Sequence, residues 1–253
     1  MSLFTRLILP LIFSFPAVSF GAFDTNPLKS VLVFLAHPDD ETWCSGTLAK
    51  LAKQGTDIHV VYATSGGRGK DRSGQHRQGD VLAREREQES TRALKALGLP
   101  NPPTFLRMQD RELSEDVKSL AQTVHDLLEV HTPSAVFTFQ ADGITGHKDH
   151  KLVSQVISTS LKRPPNQVKL FWFAVSQSRA SHLERLSHQF HNPYVVKYPV
   201  ADENIHFKVN VANESQRRIE AFYQYQTQFP TSLQNLWKAF VSESVYEDWI
   251  AIR

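Results

Sequence analysis

Residues 30–41 read SVLVFLAHPDDE, a mostly apolar run that ends in a histidine, a proline and three acids. A short run rich in valine and leucine is typical of a strand that is buried on both faces of a parallel sheet. Pro38 restricts the backbone around it, so the run should end in a turn. The stretch therefore predicts a central strand with a polar turn at its carboxyl end.

The chain beyond this stretch alternates short β-branched or aromatic runs with longer segments of helical spacing. After the strand at 30–36, we predict strands at 57–64, 103–108, 134–139 and 168–175, and helices at 41–53, 80–97, 115–130 and 148–161. This repetition predicts an α/β fold with a Rossmann-like, mostly parallel sheet and helices on both faces. Two long loops, 65–79 and 140–146, follow strand ends, where open α/β sheets bind ligands.

The alternation loosens from Ser176 onward. Here we expect antiparallel strands at 193–198 and 205–211 and a helix at 214–225. We interpret residues 176–253 as a smaller C-terminal cap on a single domain that spans residues 22–253.

The N-terminus has the features of an export signal. Arg6 precedes an apolar stretch at 7–20, and the small residues Ser19 and Gly21 stand before Ala22. A membrane anchor is the alternative, but this stretch contains two prolines and is shorter than the roughly 20 residues that cross a bilayer. We therefore predict a signal peptide at residues 1–21, a secreted or periplasmic location, and no integral membrane span in the mature chain.

Composition excludes several kinds of partner and site. With 28 basic and 26 acidic residues, the chain has no excess charge that would favour a nucleic-acid partner. The locally basic run 68–77 could bind phosphate, but it also contains Asp71 and small polar residues, so we interpret it as a solvated loop. Cys44 is the only cysteine, which excludes an intramolecular disulfide and a cysteine-based zinc site. Any metal must be held by histidine, aspartate or glutamate.

The acids at 39–41 suggest such a metal. Carboxylates this close repel one another unless a cation or hydrogen bonds neutralise them. His37 and Asp40 are three residues apart and can converge on one ion, which leaves Asp39 as a proton acceptor beside it. Alternatively, the acids cap the following helix and favour its dipole, but this does not explain His37 at a buried strand end.

A second cluster, GHKDH at 146–150, follows the fourth predicted strand. His147 and His150 are again three residues apart, so they share one face at the start of a helix. Either histidine alone could be a solvated surface residue. Because both clusters follow carboxyl ends of strands in one predicted sheet, they can face each other across its edge, and a metal site is the interpretation we favour.

These motifs resemble those of the PIG-L/LmbE-like N-acetylglucosaminyl deacetylase superfamily. The resemblance extends over about residues 30–228 and includes, in order, AHPDDE at 36–41, SGGRG at 65–69, Arg86 with Glu89, Asp142-Gly143, GHKDH at 146–150 and YQTQ at 225–228. It implies an enzyme, a metal-dependent N-deacetylase. The site residues that it implies are the zinc ligands His37, Asp40 and His150, the general base Asp39, the catalytic residues His147 and Asp149, and the substrate-binding Arg86.

Each implied role has a chemical basis. Three protein ligands leave an open position for water, as catalytic zinc requires. Asp39 would take a proton from that water, and His147 would stabilise or protonate the departing side, with Asp149 orienting it. Arg86 would reach the sugar hydroxyls. The same donors also bind Fe²⁺ and Co²⁺, so these ions are alternatives to zinc.

Two departures from the family pattern concern the substrate contacts. Residue 148 is lysine where many members have proline, and Thr145 stands where some have a tyrosine. The expected substrate is therefore stated broadly, as an N-acetylated amino sugar or glycoconjugate.

Two other functions fit parts of the pattern. Two histidines and one carboxylate also form the site of non-heme iron(II) oxygenases, but these enzymes generally have all-β folds. An exported carbohydrate-binding protein without activity would need no base, so Asp39 argues against that alternative.

Overall fold

The structure is a computed structural model that describes residues 28–162 and 168–252. The predicted signal peptide, residues 1–21, lies outside the described residues. Seven strands form one sheet: β1 Ser30–Leu35, β2 Asp57–Thr64, β3 Thr104–Met108, β4 Ala135–Phe139, β5 Lys169–Ala174, β6 Phe207–Asn210 and β7 Tyr246–Ala251. In the described ranges the helices are α1 Ser45–Lys53, α2 Gly79–Leu97, α3 Val117–His131, α4 Gly143–Gly146, α5 Lys148–Ser160, α6 Gln177–Gln189, α7 Ser215–Phe222 and α8 Thr231–Glu243.

The strand order is β3-β2-β1-β4-β5-β7-β6, and the first five strands are parallel. Strand β1 lies at the centre, and Val31 to Leu35 are completely buried between β2 and β4. The chain leaves β1 towards β2 on one side and later returns to β4 on the other, so the topological switch point lies between β1 and β4. The predicted α/β class is confirmed.

Two groups of helices cover the sheet. Helices α3 and α5 pack on each other and on β1. In the other group, α1 packs on α2 and α7, and α7 also packs on α2 and α8. None of the helices that the structure describes combines the length and the apolar character needed to cross a membrane.

The C-terminal segment differs from its prediction in detail. The strand predicted at 193–198 is wrong: Tyr198 donates its amide to Ile144 and accepts a bond from the Gln140 side chain, so it pairs with the loop after β4. The segment also holds α6, α8 and β7, none of which was predicted. Strand β7 is antiparallel to both of its neighbours, β5 and β6, and this pairing makes residues 176–252 continuous with the main sheet.

Strand β7 was missed because two acids interrupt its apolar pattern. Glu247 is 1% exposed and reaches the first turn of α1, where it accepts hydrogen bonds from the Gly46 amide (2.9 Å) and the Thr47 amide (2.7 Å). The buried Arg218 lies 3.4 Å from the same carboxylate. The last strand thus caps the helix that follows the acidic turn, and it fixes the position of that turn on the sheet.

We predict that Glu247→Ala lowers the free energy of unfolding by about 3 kcal/mol, because it leaves two buried amides and a buried guanidinium without their acceptor. Denaturant titration measures the change. Glu243→Ala is the matched control, since Glu243 is half exposed and pairs only with His182 and Arg185 at the surface. Its expected cost is under about 1 kcal/mol. Equal costs for the two variants would contradict the capping role of Glu247.

Candidate metal centre

The two sequence clusters meet at the switch point of the sheet. The turn His37-Pro38-Asp39-Asp40 follows β1, and the loop that leads to His150 follows β4, the neighbouring strand. Parallel strands end at the same edge, so their carboxyl-terminal residues converge there. His37, Asp40 and His150 are each less than 10% exposed.

The turn after β1 gives the two aspartates different partners. Asp40 Oδ2 accepts hydrogen bonds from the amides of His37 (2.7 Å) and Ala36 (3.2 Å), which hold its carboxylate against the strand end. Asp39 has a φ of 102°, a left-handed conformation that is rare for residues other than glycine. This unfavourable backbone angle is of the kind that accumulates at functional sites.

Three donor groups converge in this turn. His37 Nδ1 lies 3.1 Å from His150 Nε2, His150 Nε2 lies 3.0 Å from Asp40 Oδ1, and His37 Nδ1 lies 3.5 Å from Asp40 Oδ2. Donor atoms around a tetrahedral zinc ion are about 3.3 Å apart, because Zn–N and Zn–O bonds are about 2.0 to 2.1 Å long. The spacing of the three predicted ligands therefore fits one small divalent cation.

The outer ring nitrogens of both histidines are also engaged. His150 Nδ1 lies 3.0 Å from the carbonyl oxygen of Gly143, so it donates and leaves Nε2 free as a ligand. His37 Nε2 lies 3.3 Å from Asp110 Oδ1 and 3.3 Å from Asp149 Oδ2. Histidines that bind metals commonly donate their second N–H to a carbonyl or carboxylate in this way. The donor set and its surroundings thus both fit a metal.

The charges at the site favour a cation. Burial opposes protonation of His37, but its carboxylate neighbours Asp110, Asp149 and Asp40 outweigh burial and raise its pKa well above the usual value. Burial alone would raise the pKa of Asp40, but His150 and His37 overcome it and hold that pKa well below its usual range. The position beside His37 Nδ1 is therefore one where a metal ion can replace a proton.

Two other combinations around His37 are close enough to hold a metal: His37 with Asp110 and Asp149, and His37 with His147 and His150. In the first, the ligand atom of His37 would be Nε2, which lies 3.3 Å from both carboxylates, so the ring would lose them as outer acceptors. In the second, His147 directs Nδ1 to the Asp149 amide. We therefore favour the set of His37, Asp40 and His150, in which both histidines keep an outer acceptor.

Asp39 and Arg86 form a pair beside the donor set. The Asp39 side chain is 17% exposed, and Arg86 Nη2 lies 3.2 Å from Asp39 Oδ2. Burial and the nearby Asp40 raise the pKa of Asp39 to about 7, although Arg86 opposes them. Arg86 is itself buried, and its guanidinium also donates to the carbonyls of Pro38 (2.6 Å) and Gly66 (3.0 Å). Arg86 thus contacts Asp39 from the buried side of the turn. Contact between Arg86 and a sugar stays a prediction.

His147 lies next to the donor set, with its ring centroid 4.6 Å from that of His37. Its Nδ1 accepts the Asp149 amide at 3.2 Å, which caps α5 and leaves the proton of the neutral ring on Nε2. Burial, with the neighbouring His37 and His150, lowers the pKa of His147 to about 4. Asp149 is not bonded to the His147 ring, since Oδ2 lies 3.9 Å from Nδ1, and it contacts His37 instead.

Sequence reasoning missed three residues that complete the site. Asp110 lies just after the carboxyl end of β3. Because ligands bind at such strand ends, this position could have identified Asp110 as a candidate site residue. Tyr62 and Tyr225 both donate to the buried carboxylate of Glu41, which Tyr62 contacts at 2.8 Å. These tyrosines come from β2 and from the turn after α7, and the sequence carries no local sign of their contact.

A parallel α/β sheet with two histidines and one carboxylate at its switch point defines a candidate metal-dependent hydrolase. The family model described as "PIG-L: GlcNAc-PI de-N-acetylase" matches residues 32–161, which is half of the chain. The chain therefore belongs to the PIG-L family. Both the predicted family and the predicted enzyme class, N-deacetylase, are confirmed by this match and by the chain's relatives.

One relative is the 1D-myo-inositol 2-acetamido-2-deoxy-α-D-glucopyranoside deacetylase of Mycobacterium sp. (strain KMS), 29% identical over 80% of this chain and 77% of its own length. Among solved structures, the N,N'-diacetylchitobiose deacetylase of Pyrococcus horikoshii has a TM-score of 0.64 at 21% identity, covering 91% of this chain and 87% of that one. The 4-carboxy-2-hydroxymuconate hydratase of Pseudomonas putida also has a TM-score of 0.64, at 16% identity, with 89% and 97% coverage. A shared fold therefore does not decide the reaction.

We predict that Asp110→Asn weakens binding of a divalent metal by about ten- to a hundredfold, because it removes the charged acceptor that orients the His37 ring. Competition with a chromophoric chelator measures the affinity. Asp116→Asn is the control, because Asp116 is exposed at the start of α3, where its side chain makes no capping hydrogen bond. If Asp110→Asn bound metal as tightly as the wild type and the control, Asp110 would not be the acceptor that orients His37 for metal binding.

Proposed function

We propose that this protein is a zinc-dependent hydrolase that removes the N-acetyl group from an N-acetylglucosamine-containing sugar or glycoconjugate and releases acetate and the free amine. The observation that carries the proposal is the separation of roles in one turn. Asp40 belongs to a donor set with His37 and His150, and the neighbouring Asp39 stands outside that set with its carboxylate partly exposed.

Zinc is the ion we favour. Two imidazole nitrogens and one carboxylate are donors that zinc accepts, and three protein ligands leave a position for water or substrate. When bound, the ion would polarise the acetamide carbonyl and lower the pKa of a bound water. Fe²⁺ and Co²⁺ bind the same donors, so metal analysis of the purified protein must accompany the activity assay.

Asp39 is the proton acceptor in this proposal. Burial and the nearby Asp40 raise the pKa of Asp39 above the usual carboxylate range, which favours a group that accepts a proton from water and returns it to a leaving amine. The bond from Arg86 holds one carboxylate oxygen, Oδ2, and the exposed part of the side chain faces solvent. Arg86 is then a positioning residue for the base.

His147 is suited to stabilise charge. Because its Nδ1 accepts a backbone amide, the neutral ring carries its proton on Nε2, and its low pKa keeps the ring neutral near pH 7. About a third of its side chain is exposed. A fixed donor of this kind stabilises the oxyanion that forms when water adds to the acetamide. This supports stabilisation, the first of the two roles expected for His147.

Two alternatives predict different products. A 2-oxoglutarate-dependent iron oxygenase would need oxygen, and the parallel α/β sheet is unlike the all-β folds that generally carry that chemistry. A hydratase, the activity of one structural neighbour, would add water to a carbon–carbon double bond and release nothing. Release of acetate without oxygen separates deacetylation from both.

The test is an anaerobic acetate-release assay on a panel of N-acetylglucosaminides, with and without a chelator. We expect acetate release that a chelator abolishes and that zinc restores. We predict that Asp39→Asn lowers kcat by about 10²- to 10⁴-fold, because the amide cannot accept a proton, while one metal ion per chain remains bound.

Asp116→Asn is a control with the same chemical change, at an exposed aspartate far along the chain from both histidine motifs. It should retain metal and activity. Full activity of Asp39→Asn would show that another group is the base. If no substrate of the panel released acetate from the metal-loaded protein, the proposed function would be wrong.

The proposal includes export. A cleaved signal peptide at residues 1–21 would place the enzyme in the periplasm or outside the cell, where envelope or extracellular glycans are the accessible substrates. Mass spectrometry of the protein from its native host should find a mature N-terminus at Ala22. An intact N-terminus would contradict this part of the proposal alone.

A further inference from the structure

Two buried arginines of the C-terminal segment meet at one residue, Ser244. Arg179 of α6 donates from Nε to Ser244 Oγ at 3.2 Å, and Arg218 of α7 donates from Nη1 to the Ser244 carbonyl oxygen at 3.2 Å. Arg179 is 6% exposed and Arg218 is 1% exposed. Arginine is rarely buried this deeply unless it is paired. Neither residue has a role in the proposed reaction, so the burial of both needs another explanation.

The N–H groups of these two arginines outnumber the acceptors around them. Nη1 and Nη2 of Arg179 and Nη2 of Arg218 are closed to solvent, and none of these three nitrogens has a hydrogen-bond partner among the described residues. Each of them carries two N–H groups. Buried donors without an acceptor are unfavourable and rare in native proteins. The two guanidinium groups therefore need a further acceptor.

The charges around the two arginines do not balance either. Within residues 28–162 and 168–252, Glu247 is the one acid within 4 Å of either guanidinium, and its Oε1 lies 3.4 Å from Arg218 Nε. Burial lowers the pKa of Arg218 to about 10, with Glu247 opposing this and Arg179 adding to it, so Arg218 is charged at neutral pH. Two cations thus face one carboxylate, and one positive charge is not cancelled.

Other side chains of this region do not supply the second negative charge. Cys44 is completely buried, and burial and the nearby Glu247 raise the pKa of its thiol well above the usual value, although Arg179 opposes them. A neutral thiol is only a weak acceptor. Glu243 pairs with His182 and Arg185 at the surface. The partner that completes the cluster must therefore come from solution.

The two guanidinium groups are held in place by their surroundings. The Phe240 ring covers one face of Arg179, with Cζ 5.3 Å from the ring centroid. Because a guanidinium donates in its own plane, a partner of Arg179 must approach the edge of the group. The stem of Arg218 packs against Gly46, where a Cβ atom would lie only 2.9 Å from Cδ. The donors are thus fixed before any partner binds, which favours binding.

We infer that a small monovalent anion, chloride in particular, binds between the guanidinium groups of Arg179 and Arg218. One negative charge cancels the excess of the cluster, whereas a phosphate or a sulfate would exceed it. A halide also accepts N–H groups from any direction. The anion would stabilise the junction of α6, α7 and the segment that leads into β7, and Glu247 of that strand caps α1.

Thermal denaturation of the whole protein in salts of equal ionic strength tests the inference. Replacing sodium gluconate by about 100 mM sodium chloride or bromide should raise the Tm of the wild type, because an ion that binds only the folded state stabilises it. Salts also act on the whole protein surface, so the readout is the difference between variants. The Tm of Arg179→Met, which lacks one guanidinium, should rise by at least about 2 °C less than that of the wild type.

Arg185→Met is the matched control on the same helix, because the Arg185 side chain is 65% exposed. Its Tm should respond to the halide as that of the wild type does. In gluconate, Arg179→Met should melt no lower than the wild type, since methionine removes a buried charge that has no halide beside it. A residue needed only for packing would instead lower the Tm equally in both salts.

Diffraction from wild-type crystals grown in bromide is a second, direct measurement. We expect an anomalous peak between the guanidinium groups of Arg179 and Arg218. If Arg179→Met does not fold, the bromide map alone decides. A water molecule at that position, or equal halide responses of the wild type and Arg179→Met, would overturn the inference. Neither result depends on acetate release, so the proposed function is tested separately.

Discussion

The need to neutralise five carboxylates at one end of β1 governs the rest of this structure. Asp39, Asp40 and Glu41 are consecutive, and Asp110 and Asp149 lie against the same histidine. Charged groups taken out of water are costly unless each has a partner. Each of these acids has a partner. Arg86 pairs with Asp39, strand-end amides and His150 with Asp40, and two tyrosine hydroxyls with Glu41. Asp110 and Asp149 share the His37 ring, and each also accepts one backbone amide. Since His37 Nδ1, His150 Nε2 and the Asp40 carboxylate still lie within 3.5 Å of one another, a metal ion is the partner that completes this set.

The partners of these acids come from distant parts of the chain, which explains why the fold must be complete before the site exists. Arg86 is on α2, Tyr62 on β2, His150 on α5, and Tyr225 follows α7. The last strand contributes indirectly, because Glu247 caps α1 directly after the acidic turn. A central strand that is buried on both faces can support such a turn. Its backbone hydrogen bonds are made with β2 and β4, so polar groups collect at its carboxyl end.

The sequence was informative where a pattern is local and less so where a contact is distant. The apolar run at 31–35 and the two histidine motifs predicted the central strand, the sheet class and the meeting of the two clusters, because periodicity and strand ends can be read from neighbouring residues. The choice of His37, Asp40 and His150 as ligands came from the resemblance to the PIG-L family. Strand β7 escaped prediction because its acids, Glu247 and Asp248, are buried against partners that lie about 200 and 70 residues away along the chain. The resemblance to the PIG-L family implied that Asp149 orients His147, whereas in the fold its carboxylate contacts His37. Arg86 was expected to be open to a sugar, and burial under the turn cannot be inferred from its helical spacing.

Asp110 joins the metal centre to the loop between β2 and α2. One oxygen of its carboxylate faces the His37 ring, and the other accepts the amide of Arg68 at 2.9 Å. A shift of the loop backbone at Arg68 would therefore disturb the orientation of a metal ligand, so the backbone here is constrained by the metal centre. The exposed side chain of Lys70 makes no ion pair in the described residues, so it is under no such constraint. The loop backbone is tied to the metal ligand through Asp110 and to Asp39 through Arg86. A change of side chain at Lys70 should therefore leave the reacting centre intact, whereas a displacement of the loop backbone should not.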